Sequence, residues 1–331
     1  MKILLVSMGS IGEKHYKNIK KLLPKSEIKI LRTKNKKKNY IEEVNLAEAK
    51  IFDPNLVLIN SPANKHFYYY KKFFKNSRAF FIEKPLESKI SNLDLNFLKK
   101  RNKFLMIGYV LRFDNILLTF KKIIQKKKYG KVKLVDIKVG QYLPDWRKNK
   151  NYKHGVSAQK KLGGGVLLEL SHEIDYLNWI FGDIQGVYSV NKTLSKLSLD
   201  VEDISILILY FKSKIRNKKF NALVTLDFLR HAKKRECVVL CEKGTIRWDG
   251  MKGVLEIYKQ NGKKWINLHN DPNDLAQSYI KQWKKIIQNV KNNNKPSVNI
   301  FDSIKVLEVI DSSWKSSREQ KFIQVRRAVH R

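Results

Sequence analysis

Three consecutive residues, Glu83, Lys84 and Pro85, have the side chains needed for acid–base chemistry. They follow the apolar run from Ala79 to Ile82, which is typical of a strand buried on both faces of a parallel sheet. A proline fixes its own backbone and holds the preceding residue extended, so the Lys84 ammonium would stand on a rigid stem. A lysine beside a carboxylate at such a strand end suits proton exchange with a substrate hydroxyl, although a solvated strand end is the alternative.

A second candidate group follows the triple glycine at 163–165. The residues from Val166 onward have a helical pattern, in which Glu169 and His172 are spaced to share one face. A carboxylate next to an imidazole can set the tautomer and the basicity of the ring. A surface pair of this kind is usually just solvated, so it gains a catalytic meaning only beside another reactive group such as Lys84.

The N-terminal residues resemble a dinucleotide-binding turn. The strand from Ile3 to Val6 is followed by a glycine turn and then by a helix that Pro24 ends. Glycines in such a turn let the backbone approach a pyrophosphate and let the helix pack on the strand, and the helix N-terminus faces the phosphates. The glycine motif is weak by itself, but the strand before it and the helix after it support the interpretation. The predicted cofactor contacts are Ser7, Gly9, Ser10, Ile11 and Gly12.

The end of the second predicted strand, Glu27 to Leu31, indicates which dinucleotide binds. An acid at that end would bind the ribose of NAD, whereas this chain has Arg32 and Thr33 there. An arginine suits a 2′-phosphate, so NADP is favoured over NAD, unless Arg32 points to solvent.

Two further strand ends contribute predicted cofactor contacts. The strand from Leu56 to Ile59 is followed by small and polar residues, which would point into the cofactor crevice. His66 could instead begin or cap the next helix. The Lys84–Pro85 bond is predicted to be cis, because a proline is the common setting for that isomer and a tight turn suits it. The contacts predicted from these strand ends are Ser61, Pro62, His66, Glu83 and Lys84.

The order of elements predicts an α/β protein with two domains. Strands and helices alternate up to about residue 113, which is the pattern of a doubly wound parallel sheet. Later strands alternate polar and apolar residues, which predicts a large antiparallel sheet with one covered face. We expect a first domain over 1–117 and a second over 118–331, with a helix near 302–316 packing back towards the first. The later strands are predicted at 131–139, 187–193, 204–211, 222–228, 237–241, 245–248 and 254–258.

Composition excludes several classes of function. The formal charge is +38, but the basic residues are spread along the whole chain without an aromatic platform, so we expect no specific nucleic-acid partner. No apolar run reaches the length of a membrane span, and the start is too short for a secretory signal, so a cytoplasmic protein is expected. Cys237 and Cys241 are four residues apart in a strand-like run, too distant for a disulfide, and no metal site is predicted.

Together these stretches resemble the Gfo/Idh/MocA family of NAD(P)-dependent sugar oxidoreductases over nearly the whole chain. The resemblance rests on the glycine turn, on Glu83-Lys84-Pro85, on the segment from Gly108 to Phe113, on the triple glycine with its acid and histidine, and on Gly244-Thr245. It departs from the family pattern in three places. Ser7 replaces the first glycine, Glu169 stands where aspartate is commoner, and three residues rather than four separate the acid from His172.

The resemblance implies a Rossmann domain followed by an α+β domain with a large open antiparallel sheet, often used to form dimers or tetramers. It also implies hydride transfer between NAD(P) and a hydroxyl-bearing carbon of a sugar or nucleotide sugar, with Lys84, His172 and Glu169 as the catalytic residues. His172 would be the general base, and Lys84 would hold the oxygen. A non-catalytic, dinucleotide-sensing regulator of the same fold is the alternative, although such a protein would not need these three residues.

The segment from residue 141 to 147 resembles a subgroup associated with sugars of bacterial surface polysaccharides. Its aromatic residues could stack on a sugar face, and its arginine could meet a phosphate or a carboxylate. A small-molecule sugar is therefore the expected substrate, and a homodimer or homotetramer the expected assembly. The predicted substrate contacts are Lys84, Arg112, Tyr142, Trp146, Arg147, His172 and Asp175.

Overall fold

The computed structural model of the protein describes residues 1–32, 40, 42–100, 103–146, 151–212, 219–272 and 274–328. The chain forms two compact units. The first contains Met1–Val110 and Tyr279–Ile304, and the second contains Leu111–Ser278 and Lys305–Arg331. Each unit is therefore built from two separate segments, whereas the sequence suggested contiguous domains that meet after residue 117.

The first unit contains a parallel sheet of six strands, as predicted. Their order across the sheet is β3-β2-β1-β4-β5-β6. Each strand pairs in parallel with its neighbours, and the carboxyl ends are level because Ile59 pairs with Ile82, and Ile82 with Ile107. The strands are β1 Lys2–Val6, β2 Glu27–Leu31, β3 Glu43–Val44, β4 Leu56–Ile59, β5 Ala79–Ile82 and β6 Phe104–Ile107.

The core of this unit follows from the composition of its central strands. All four residues of β4 and all four of β5 are buried, which is what a parallel sheet covered on both faces requires. Polar residues directly follow β1, β4 and β5: Ser7, Asn60 and Glu83. Because these strands are parallel, the turns after them meet at one edge of the sheet. That edge is where ligands bind in sheets of this kind.

The helices of the first unit are short. They are α1 Ser10–Leu22, α2 Leu46–Ile51, α3 His66–Phe73 and α4 Leu95–Lys99. The helix α4 begins at Leu95 because Asp94 caps it by accepting a hydrogen bond from the Phe97 amide at 2.9 Å.

The second unit contains a sheet of nine strands in the order β14-β13-β12-β11-β7-β10-β9-β8-β15. The predicted large sheet is confirmed and is mainly antiparallel, with one parallel pair, β7 and β10. A long crossover connection joins these two strands, and such a connection permits parallel pairing. The strands are β7 Val132–Gly140, β8 Ile184–Lys192, β9 Ile204–Lys212, β10 Lys219–Asp227, β11 Lys234–Cys241, β12 Gly244–Asp249, β13 Val254–Lys259, β14 Ile266–Asn270 and β15 Ile323–Gln324.

Three helices lie wholly in the second unit, within the described residues: α5 Asn115–Gln125, α6 Val166–Glu169 and α7 His172–Phe181. Two longer helices, α8 Asp274–Lys291 and α9 Ile300–Glu319, contribute residues to both units. None of the helices in the described ranges has both the length and the hydropathy that a bilayer crossing requires.

Candidate active site

The turn between β1 and α1 has the form that the glycine pattern predicts. Gly9 is the N-cap of α1, and no side chain hydrogen-bonds there. A Cβ built on Gly9 would meet nothing within 4 Å, whereas one on Gly12 would lie 3.1 Å from the Ser7 carbonyl oxygen. The open space at Gly9 and the uncapped N-terminus of a helix of 13 residues fit the pyrophosphate of a dinucleotide. Ser7 itself has a φ of 73°, the left-handed conformation that favours glycine.

The turn after β4 provides unsatisfied polar atoms on the same edge. Asn60 and Ser61 are buried, with 7% and 6% of their surfaces exposed. Among the described residues, neither the Asn60 amide nor the Ser61 hydroxyl has a hydrogen-bond partner. The Asn60 amide nitrogen would lie 3.4 Å from a Cβ on Gly12, so Asn60 is next to the dinucleotide turn. Buried polar atoms of this kind need a partner, and a polar cofactor would supply one.

His66 is placed beneath this turn. It is the first residue of α3 and is 1% exposed. Its Nδ1 is 2.7 Å from the Pro85 carbonyl oxygen, and its Nε2 is 2.7 Å from the Ser61 carbonyl oxygen. Burial lowers the pKa of His66, although both carbonyls and the Glu87 carboxylate oppose this shift. The predicted cofactor contact of His66 stays a prediction, and its observed contacts join the turns after β4 and β5.

Arg32 follows β2, but it has a partner that the sequence did not reveal. Its Nη1 donates to Oε1 of Glu43 at 3.0 Å, and the side chains are 18% and 6% exposed. Glu43 lies on β3, which pairs with β2. Arg32 is thus held at the sheet by an acid, and its guanidinium has further donors for a phosphate. Thr33, the neighbouring predicted contact, lies outside the described residues.

The turn that carries Lys84 is confirmed to contain a cis peptide bond between Lys84 and Pro85. Lys84 itself is partly exposed, while Glu83 is 8% exposed. The Glu83 carboxylate accepts a hydrogen bond from the Lys84 amide at 3.1 Å, and its other oxygen is 2.7 Å from Nε2 of His15. The structure therefore supports the expectation that the lysine stands on a well-defined backbone.

Glu169 and His172 belong to the second unit, and the helix predicted to join them is interrupted. Glu169 is the last residue of α6 and His172 is the first of α7, with Leu170 and Ser171 between the two helices. The helical spacing that would place both side chains on one face therefore does not apply. Both side chains are partly exposed.

Two of the three glycines before α6, Gly164 and Gly165, are required by packing within the second unit. A Cβ on Gly164 would lie 2.2 Å from the Val156 carbonyl oxygen, and one on Gly165 would lie 2.6 Å from Oε1 of Glu202. That carboxylate also accepts a hydrogen bond from the Leu167 amide at 3.2 Å, and burial raises its pKa. Gly164 and Gly165 therefore leave room for neighbouring atoms of the protein itself.

Arg112 and Asp175, two predicted substrate contacts, bind each other. Nε of Arg112 donates to Oδ2 of Asp175 at 3.0 Å, and Nη2 donates to Oδ1 at 2.7 Å. The pair is almost completely buried. Substrate contact by either residue stays a prediction, since the observed geometry gives them a structural ion pair.

The aromatic segment of the second unit is ordered by its own backbone. The Trp146 indole N–H donates to the Gln141 carbonyl at 2.9 Å, which fixes the ring. The Tyr142 ring lies 4.4 Å from the ring of His231, a residue that the sequence analysis did not single out. Arg147 lies outside the described residues.

Two residues under the Lys84 turn, His15 and Trp283, were also missed. The only available signal was a histidine three residues after Gly12 in a helix otherwise rich in lysine. Trp283 comes from the distant segment that completes the first unit, and nothing in its local sequence relates it to Lys84. Within the described residues, no group of three or more potential metal ligands is present.

Comparison with known proteins identifies the family of the chain. Residues 121–325 match the C-terminal α/β domain of the Gfo/Idh/MocA oxidoreductase family. A curated relative, myo-inositol 2-dehydrogenase of Thermotoga maritima, is 24% identical over 99% of this chain and 100% of its own. The chain belongs to the Gfo/Idh/MocA family of oxidoreductases.

Solved structures show the same fold. The WlbA dehydrogenase from Bordetella pertussis, in complex with NADH and UDP-GlcNAcA, has a TM-score of 0.79 and 17% identity, over 98% of this chain and 99% of that one. A putative NADPH-dependent oxidoreductase from Desulfitobacterium hafniense has a TM-score of 0.82 and 15% identity, over 98% of each chain.

Proposed function

We propose that the protein transfers a hydride between NADP(H) and a hydroxyl-bearing carbon of a sugar or nucleotide sugar. The observation that carries the proposal is the position of the Lys84 turn. It follows β5, which neighbours β4 with its unsatisfied Asn60 and Ser61, and β4 in turn neighbours β1 with the dinucleotide turn. A proton-transfer group and a cofactor turn thus share one edge of a sheet. The relatives that act on myo-inositol or hold a UDP-sugar support a sugar substrate.

In the proposed mechanism, the protein moves the proton while the bound nicotinamide accepts or donates the hydride. When the alcohol is oxidised, the imidazole of His172 takes the proton from its hydroxyl, since a histidine titrates near neutral pH. The Lys84 ammonium donates a hydrogen bond to the same oxygen and stabilises the negative charge that develops there. Glu169 orients His172. In the direction of reduction, His172 returns the proton.

The preference for NADP(H) rests on Arg32. Its guanidinium lies at the end of β2, where the ribose of the adenosine would be bound, and the Glu43 carboxylate holds it in place through one nitrogen. The cofactor-binding group further comprises Ser7, Gly9, Ser10, Ile11, Gly12, Thr33, Ser61, Pro62, His66 and Glu83.

We place the reaction in the biosynthesis of sugars for bacterial surface polysaccharides. The support is the aromatic segment with Tyr142 and Trp146, together with a structural relative that holds a nucleotide sugar acid. In this proposal the two aromatic residues contact the sugar face, Arg147 contacts a phosphate or carboxylate, and Arg112 and Asp175 complete the substrate site.

A substrate screen tests the proposed function. The purified protein is mixed with NADP(H) or NAD(H) and with inositols, free hexoses or UDP-sugars, and the absorbance of the reduced cofactor is followed. We expect a change with UDP-sugars, and none in the Lys84→Ala variant. Cofactor binding without turnover of any compound would contradict the proposal and favour a dinucleotide-sensing regulator.

We also propose that the protein forms a homodimer or homotetramer through the open face of the nine-stranded sheet. Ile206, Leu223 and Leu240 are 47%, 41% and 40% exposed, and they lie on β9, β10 and β11. Exposed apolar residues on one sheet face are typical of an interface. Light scattering should give a multiple of the monomer mass, and Leu223→Lys should reduce it. A monomeric wild-type protein would contradict this assembly.

A further inference from the structure

A chain of hydrogen bonds connects α8 to the turn that carries Lys84, within the first unit. The indole N–H of Trp283 donates to Nδ1 of His15 at 2.8 Å. On the other side of the ring, Nε2 of His15 is 2.7 Å from Oε1 of Glu83. The second oxygen of that carboxylate accepts the hydrogen bond from the Lys84 amide at 3.1 Å. His15 and Trp283 are fully buried.

The donors in this chain define the tautomer of His15. An indole nitrogen can only donate a hydrogen bond, so Nδ1 of His15 must accept and carries no proton. The proton of the neutral ring is then on Nε2, where it is donated to the Glu83 carboxylate. Each polar group in this series therefore has a partner of the correct type. The Glu83 carboxylate accepts from His15 on one oxygen and from the Lys84 amide on the other.

Packing around His15 and Glu83 leaves this series of hydrogen bonds little freedom to rearrange. The His15 ring makes edge contacts with Phe81 at 5.4 Å and with Trp283 at 5.6 Å between ring centroids. Gly108 also borders the Glu83 carboxylate, since a Cβ there would lie 2.9 Å from Oε1. The carboxylate thus occupies space that only a glycine leaves open, and it is enclosed by His15, Gly108 and the Lys84 backbone.

We propose that His15 and Trp283 are positioning residues for Lys84. They hold the Glu83 carboxylate in one orientation, and the carboxylate holds the backbone N–H of Lys84. Neither residue touches substrate in this proposal, which rests on the proposed role of Lys84 in turnover. Their contribution is to keep the ammonium where it meets the substrate oxygen, since small displacements of a catalytic group reduce rates strongly.

The decisive variant is Trp283→Phe, because it removes the indole N–H but keeps an aromatic ring in the core. We expect kcat to fall about threefold to tenfold, the loss that follows from one hydrogen bond of ordinary strength, with cofactor affinity unchanged. The matched control is Trp248→Phe in the second unit. Trp248 is equally buried, but its indole nitrogen has no hydrogen-bond partner in the described part of the chain. An equal loss of kcat in both variants would overturn the proposal.

Substitutions of His15 provide a second comparison. A glutamine has both an acceptor and a donor at its end and can replace both hydrogen bonds, whereas a leucine can replace neither. His15→Gln should retain kcat within about fivefold, and His15→Leu should lose about tenfold to a hundredfold. Equal activity in these two variants would mean that His15 acts only by filling space.

Nuclear magnetic resonance of the histidine ring nitrogens gives a readout that does not depend on turnover. We expect the signals of His15, assigned by their absence in His15→Gln, to show a proton on Nε2 and none on Nδ1. Trp283→Phe should keep the proton on Nε2, because the Glu83 carboxylate still accepts it, and should shift the Nδ1 signal, because that nitrogen loses its hydrogen bond. A proton on Nδ1 in the wild-type protein would refute the hydrogen-bond chain. If the wild-type protein oxidises no sugar, the proposed function fails, while these spectra still decide the tautomer.

Discussion

Arg112 donates hydrogen bonds to both carboxylate oxygens of Asp175 inside the second unit, and the two side chains are only 7% and 1% exposed. Removal of one member would leave an uncompensated charge in a nonpolar environment. We therefore expect Arg112→Ala to lower the free energy of unfolding by about 3–5 kcal/mol, measured by denaturant titration. The double variant Arg112→Met with Asp175→Leu should be much closer to the wild type.

A substitution in an exposed ion pair is the control for this experiment. Lys315 pairs with Glu319 on the surface of α9, at 3.9 Å, and Lys315→Ala should leave unfolding unchanged within experimental error. If Arg112→Ala were as harmless as this control, the buried pair would not contribute to stability.

The roles of Lys84 and His172 can be separated from folding and from cofactor binding. Lys84→Ala and His172→Ala should each reduce kcat by about two to four orders of magnitude, because each removes a group that acts on the substrate hydroxyl. Both variants should still bind NADP(H) in fluorescence titrations, since neither residue belongs to the glycine turn. Near-normal turnover of His172→Ala would transfer the role of base to another residue.

The choice of cofactor should depend on Arg32 and on its partner. Arg32→Ala should weaken NADPH binding about tenfold while NADH binding stays the same, because only NADPH has a 2′-phosphate. Glu43→Gln keeps the shape of the partner but removes its charge, and it should strengthen NADPH binding by lowering the local negative potential. Calorimetric titration with both cofactors measures these effects. Equal losses for NADH and NADPH in Arg32→Ala would show that Arg32 does not read the phosphate.

The left-handed backbone of Ser7 predicts a stabilising substitution. A residue with a Cβ at a φ of 73° costs about 1–2 kcal/mol, whereas glycine adopts this conformation freely but loses more entropy on folding. The relief of backbone strain and the larger entropy loss of glycine oppose each other. Their balance for Ser7→Gly should raise the free energy of unfolding by about 0.5–1 kcal/mol. Thermal unfolding measures the change, and a lower midpoint for Ser7→Gly would contradict it.

The two cysteines should differ in reactivity. Burial raises the pKa of Cys241 to about 11 and raises the pKa of the fully buried Cys237 still further. Only the thiolate reacts, so alkylation of Cys241 should be slow at neutral pH and should accelerate about tenfold per pH unit up to about pH 11. Cys237 should react only after denaturation. Rapid labelling of both thiols at pH 7 in the folded protein would contradict these assignments.

The sequence predicted the central strands of the first sheet well, for a physical reason. The runs Leu56–Ile59 and Ala79–Ile82 are wholly apolar and end at turn-forming residues. The apolar run and the turn therefore predict the same end for each strand. The cis peptide bond between Lys84 and Pro85 was predictable because cis peptide bonds occur almost only before proline.

Other features depend on contacts that no local pattern contains. The helical pattern continues through Leu170 and Ser171, although the helix is interrupted there. The parallel pairing of β7 with β10 and the ion pair of Arg112 with Asp175 join residues far apart in the chain. The candidate site was therefore predicted as a set of side chains, while the residues that hold them, such as His15 and Glu43, emerged only from the structure.

The hydrogen bond between Trp283 and His15 joins residues 268 positions apart, which has a consequence for biosynthesis. At translation rates of about 5–20 residues per second, Trp283 is synthesised tens of seconds after His15. During that interval the nascent first unit lacks the segment Tyr279–Ile304, and the aromatic surface around Phe81 that Trp283 covers is unprotected. The segment Met1–Val110 must therefore wait on the ribosome in an incomplete form, when chaperones and proteases have access to it.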